Sequence, residues 1–215
     1  NKARMHMNHK IIFITVSLFV LISCNSTRAK IDENCMEQNS SRFVEPENSL
    51  YKLPFGVGES YELRQGNCTF HTHSVENKNE FAFDFIMDIG TPIHAARAGQ
   101  VTAIVDNFHD GNNKGSDYNY IAIAHEDETF AFYLHITNSG ATVELGEMVN
   151  QGDVIAYSGD TGMESIPHLH LHVIETNEDC FKNGVVGICP SLPISFKNAN
   201  PNDKILNQGL VYTAM

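Results

Sequence analysis

From Tyr51 to Glu175 the chain is written in short apolar runs separated by clusters of Gly, Asn and Asp, and this punctuation constrains its fold more than any other feature. The runs are "SYELRQ", "FAFDFIM", "TPIHAA", "QVTAIVD", "YIAIAHE", "TFAFYLHI", "DVIAYSG" and "HLHLHVIE", rich in β-branched and aromatic residues and mostly of strand length. No periodic stretch long enough for a substantial helix lies between them. Strands without intervening helices predict an all-β, mainly antiparallel sheet core. Two longer polar connections, "DNFHDGNNKGSDYN" at 106–119 and "SGDTGMESIP" at 158–167, predict loops that frame a site on that rigid sheet.

The ends read differently. Lys10 precedes "IIFITVSLFVLI", Ile11 to Ile22, a run too short to span a bilayer comfortably and matching the core of a signal peptide. It closes in "LISC", Leu21 to Cys24, which resembles the lipobox of bacterial lipoproteins; the expectation is an exported protein anchored to a membrane of the cell envelope by lipid on Cys24. The polar stretch that follows suits a tether. The expected organisation is therefore a signal peptide at 1–23, a lipidated N-terminus and tether at 24–48, one domain at 49–178, and a C-terminal extension with a disulfide loop at 179–215.

Fourteen Lys and Arg stand against twenty-six Asp and Glu, a net charge of −12. Cleavage after residue 23 removes Lys2, Arg4 and Lys10, leaving eleven basic and twenty-six acidic residues and a charge of −15. Phosphate binding needs a basic face, so nucleic acid is excluded as a partner. Besides Cys24 there are Cys35, Cys68, Cys180 and Cys189, with no CxxC pair that would suggest a zinc ribbon or a thioredoxin-like site. An even number in an exported protein favours disulfides, Cys180 with Cys189 across a short Gly-containing loop and Cys35 with Cys68.

The chemistry concentrates in "SIPHLHLHV". Strand alternation puts His168, His170 and His172 on one face and Leu169, Leu171 and Val173 on the other. His168 and His170 would lie about 7 Å apart along the strand, which suits one as a metal ligand and the other as an acid or base beside it. Asp84, in the middle of "FAFDFIM", is costly to bury unless it is paired or bound to a cation. His71 and His73 in "TFHTHS" and His135 in "AFYLHI" complete a set of imidazoles and one carboxylate from which a three-ligand zinc site with an open position is built. A two-histidine, one-carboxylate iron site needs the same ligand types but also an HxD or HxE pair on a suitable strand, and none is present.

"EFAFDFIMDIGTPIHAARAGQVTAIV", "YIAIAHEDETFAFYLHI", "VNQGDVIAYSGDTG" and "IPHLHLHV" resemble, in order and spacing, the lysostaphin-type zinc endopeptidases that cut peptide bridges of bacterial peptidoglycan. The resemblance covers about Leu53 to Glu175. It implies zinc as cofactor, peptidoglycan peptides as substrate, Asp84 and His170 as ligands, and His135 and His168 as catalytic residues. The family's first ligand, a histidine four residues before the aspartate, is replaced here by Glu80. A subgroup carries that histidine earlier, after a "QG" element that this chain shows at Gln65 and Gly66, which implies His73 as third ligand, ahead of His71 and Glu80. His172 stands where the family typically has a glutamate and reads as a half-exposed bystander; His94, His109 and His125 read as structural or surface residues. The competing reading is a non-catalytic cell-wall or amidase-activating module of the same fold, which characteristically loses the ligand set.

Overall fold

The computed structural model describes residues 30–162, 166–175 and 189–215, so the leader, Cys24 and Cys180 lie outside the described residues. The all-β expectation holds. Among the described residues twelve strands are formed: β1 (Ser60–Gln65), β2 (Phe83–Ile86), β3 (Pro92–His94), β4 (Gly99–Val105), β5 (Tyr120–Ala124), β6 (Thr129–Leu134), β7 (Ile136–Ala141), β8 (Met148–Val149), β9 (Val154–Ser158), β10 (His168–Glu175), β11 (Ala199–Asn200) and β12 (Val211–Ala214). Among the described residues α1 (Glu33–Asn39) is the one α-helix.

Nine strands form a sheet in the order β11-β12-β1-β2-β10-β6-β5-β4-β8, and β3-β9-β7 form a second sheet. The pairings around the histidine strand are antiparallel, β10 lying between β2 and β6. Alternation then decides what each face of the large sheet carries. Phe83, Phe85, Ile121, Ile123, Ala131, Tyr133, Leu169, Leu171 and Val173 share the main core with Ile93, Ile136, Ile155 and Ala156 of the small sheet. Asp84, His168, His170 and His172 alternate with these residues and project from the opposite face, beside a smaller cluster of Ala122, Phe132, Leu134, Ile174 and Cys189. One sheet thus separates a dry interior from a polar site.

The stretch expected as a tether is folded onto the domain from Lys30 onward. Asp32 caps α1 by accepting from the backbone N–H groups of Asn34 and Cys35 at 3.1 and 3.2 Å, satisfying donors that a helix start leaves open. The Cys35–Cys68 disulfide forms as expected, with Phe43 and Phe81 packed edge to face beside it. Cys189 is disulfide-bonded. The C-terminal extension also belongs to the fold: β12 pairs with β1, and Phe196 is buried in the main core. Described residues on both sides of the expected boundaries at 49 and 178 therefore pack together.

Candidate metal centre

Asp84 and His170 are directly opposed across β2 and β10, and His168 opposes Ile86 two pairs further along. Cross-strand partners on one face are within side-chain reach, and Asp84 Oδ1 lies 2.8 Å from His170 Nδ1. His73 arrives from outside the sheet, its Nε2 3.1 Å from the same carboxylate oxygen and 3.4 Å from His170 Nδ1. Among the described residues these three side chains are the group whose donor atoms converge closely enough to hold one metal ion. Donors at zinc–nitrogen and zinc–oxygen distances around a tetrahedral ion stand about 3.3 Å from one another, close to the three separations here.

The hydrogen bonds behind the cluster show why a cation fits. His73 Nδ1 lies 3.0 Å from the Gly66 carbonyl, an acceptor, so that nitrogen carries a proton and Nε2 is the ring atom turned to the Asp84 oxygen. A neutral ring would set two acceptors at that distance, which repel unless a metal ion or a second ring proton lies between them. Burial would raise the Asp84 carboxyl, but the imidazoles of His73 and His168 and the hydrogen bond from His170 prevail and hold it well below the usual carboxylate range. Burial lowers His170, against the opposing effect of Asp84, so its ring favours the neutral form a ligand needs.

His73 depends on a loop that the N-terminal segment clamps. Cys68, at a positive φ of 52°, is bonded to Cys35, its carbonyl accepts from Asp32 N–H at 2.6 Å, and Phe70 N–H donates to Lys30 O at 2.8 Å. Inside the loop Thr69 N–H donates to His73 O, and Thr69 Oγ1 donates to the same Gly66 carbonyl that fixes the His73 ring. His73 is fully buried, whereas His71 is exposed and stands apart from the cluster. Glu80 is also outside it: burial raises its carboxyl, and its side chain bonds toward Ser191.

Two further imidazoles flank the cluster. His168 Nδ1 is 2.9 Å from Ile166 O and His135 Nδ1 is 2.7 Å from Thr161 O, so both rings give their Nδ1 protons to carbonyls, and a neutral ring so held has Nε2 as its acceptor. His168 Nε2 lies 3.8 Å from Asp84 Oδ1, and the His135 and His168 rings are 4.7 Å apart. His135 reaches this position by a backbone reversal. Tyr133, two residues earlier, faces the main core, so alternation would send His135 there too; a φ of 64° turns it onto the site face instead. Left-handed backbone costs a non-glycine residue about 1–2 kcal/mol, and it persists where surrounding structure enforces it. Burial lowers His135 to about 3, with His168 and His170 adding to the effect, which keeps the ring neutral.

The structure corrects one assignment. His172 is buried, not half-exposed, and its Nδ1 is 3.0 Å from His170 Nε2. Ile174, next along the same face, was the signal: an apolar residue there means that the face is covered. His125 is buried with Nδ1 on Ala98 O, and His94 bonds Gly152 O, both away from the site as expected.

Residues 78–181 match Peptidase family M23. The glycyl-glycine endopeptidase ALE-1 of Staphylococcus capitis is 31% identical over 122 residues, 56% of this chain and 28% of its own length. Peptidoglycan DD-endopeptidase ShyC of Vibrio cholerae is 37% identical over 144 residues, 65% of this chain and 31% of its own. The chain thus spans under a third of either relative. The solved structure of lysostaphin from Staphylococcus simulans is 25% identical and aligns with a TM-score of 0.44 over 62% of this chain and 47% of that one. Asp84, His135, His168 and His170 fall inside the matched residues, His73 five residues before them. Residues 78–181 of this chain thus carry a domain of peptidase family M23.

Proposed function

We propose that this protein is a zinc-dependent endopeptidase that hydrolyses peptide bonds in bacterial peptidoglycan cross-links. The convergence of His73 Nε2, Asp84 Oδ1 and His170 Nδ1 carries the reading, since these atoms match the number, type and spacing of ligands in a zinc site that keeps a position open. The endopeptidase names of ALE-1 and ShyC support the substrate class. The non-catalytic alternative has no such support, because both the three donors and the flanking histidines are present.

When bound, zinc lowers the pKa of a coordinated water toward neutrality and polarises a peptide carbonyl. Asp84 supplies the one negative ligand and stays ionised. His168, its Nδ1 proton held by Ile166 O, would use Nε2 to take a proton from the attacking water and return it to the leaving amine. His135, held in the same tautomer by Thr161 O, offers a second neutral Nε2 beside it to share that proton or, once protonated, to stabilise the oxyanion. The exported, lipid-anchored location is part of the same proposal and rests on "LISC" at Leu21 to Cys24.

Purified protein incubated with muropeptides of defined cross-link, with zinc content measured on the same sample, tests the reading. We expect about one zinc per chain and cross-linked dimers split into products whose masses identify the bond, with activity stopped by a chelator. Zinc-free protein from zinc-replete medium, or dimers left intact by zinc-loaded protein, would sink it.

A further inference from the structure

His172 has no part in the mechanism above, yet it is 1% exposed and lies within a sheet face otherwise given to the site. It directly opposes Phe132 of β6, and the two rings stack with centroids 5.2 Å apart and planes 16° from parallel. That stack fixes the ring plane so that Nδ1 points along the strand at His170 Nε2, 3.0 Å away. Nε2 of His172 has no hydrogen-bond partner among the described residues.

These contacts restrict where protons can sit. A ligand nitrogen must be bare, so His170 binding through Nδ1 carries its proton on Nε2. That N–H faces only His172 Nδ1, which must then accept it. Metal-bound histidines generally give their second N–H to a carboxylate, carbonyl or water, which fixes tautomer and ring orientation.

We propose that His172 is a positioning residue for the metal centre: by accepting the Nε2 proton of His170 it holds that ring with Nδ1 turned toward the ion. The inference rests on the ligand role of His170 proposed above. It assigns an imidazole to a task usually given to an oxygen acceptor, and the Phe132 stack is what makes an imidazole suitable, because it removes the ring's freedom to rotate away.

Two substitutions separate the acceptor from the shape. His172→Phe keeps a flat ring against Phe132 but has no acceptor; His172→Asn loses the ring but puts Oδ1 where Nδ1 was. Zinc affinity measured by competition with a chromogenic chelator should fall about 10–100-fold in His172→Phe and stay within about threefold of wild type in His172→Asn, the range typical for loss of such a partner. Thermal midpoints of the chelated proteins report any general loss of stability separately. Nitrogen-15 imidazole spectra of zinc-loaded wild type should show His172 protonated at Nε2 and bare at Nδ1, a readout that requires no variant to fold. Wild-type affinity in His172→Phe, equal losses in both variants, or a proton on His172 Nδ1 in the zinc-loaded protein would each overturn the proposal. Wild type that takes up no zinc removes the ligand assignment itself, a distinct failure.

Discussion

Asp84 and His170 face each other across two antiparallel strands, with Oδ1 and Nδ1 2.8 Å apart and His73 Nε2 closing the triangle. Each contributes one donor to a three-donor set, so removing any one leaves too few. Asp84→Ala and His73→Ala should each lower zinc affinity by more than the roughly 10–100-fold expected of a supporting residue. His71→Ala should leave it unchanged. Zinc content after dialysis against a weak chelator checks all three.

His168 and His135 sit beside the donors, each with Nδ1 on a backbone carbonyl and the two rings 4.7 Å apart. His168→Ala should cut kcat about 10²–10⁴-fold while leaving zinc bound, as expected for loss of a general acid–base group. Loss of metal in His168→Ala would show that ligand and proton carrier had been exchanged. His135→Ala, tested the same way, indicates which ring carries the larger share.

Acid should destabilise the metal-free protein before it touches the carboxylates. His135, His170 and His172 are all lowered, by burial first, and His135 reaches about 3. Between the ordinary histidine pKa of about 6.5 and those depressed values the unfolded chain binds more protons than the folded one, so stability is full above about pH 6.5 and falls as pH drops, by up to about 1.4 kcal/mol per unit for each group. Asp84 acts in the same direction only below about pH 4, where the unfolded carboxyl begins to protonate. Denaturant melts of chelated protein at pH 7 and pH 5 should differ clearly, and equal midpoints would contradict the burial of these rings.

Gly162 lies at a φ of +104°, and a Cβ there would stand 3.4 Å from His135 Nδ1 and 3.2 Å from the Cβ of Tyr118. Gly162→Ala would meet both a backbone conformation that side chains rarely adopt and a crowded ring. We expect kcat to fall at least about tenfold with zinc retained, since a displacement of about 1 Å at a reacting group costs that much or more.

Cys35–Cys68 closes a separation of 33 residues and ties down the start of the loop that delivers His73. Loop-closure entropy puts its contribution at about 3–4 kcal/mol. Cys35→Ser, or mild reduction, should lower the thermal midpoint and also weaken zinc binding, because the loop loses its anchor five residues before His73. Unchanged zinc affinity in stably folded Cys35→Ser would show that the hydrogen bonds to Lys30 and Asp32 suffice.

What could be read from the residues follows from how burial writes itself into sequence. The eight runs quoted above each became a strand because one face of each is pressed into a core, which enforces alternation. β7, "ITNSGA", did not announce itself: it is polar and pairs with β9 only near its two ends. β8 and β11 are two residues long, too short for any period. The donors Asp84 and His170 were visible as polar residues placed where an apolar strand makes them costly. His73 was separable from His71 only by its contact with the Gly66 carbonyl, and His135 turns toward the site by a backbone angle that no local pattern encodes.

The clamp on the His73 loop has a consequence for how the protein is divided. Residues 78–181, cut out as the unit of homology, would retain Asp84, His135, His168 and His170 but would discard His73 of the candidate donor set, the helix and disulfide that support it, and the two C-terminal strands that complete the sheet edge. The segment shared with relatives and the segment that can close a metal site are different objects in this chain. Any fragment, fusion or chimera intended to retain the centre has to inherit the flanks along with the shared core.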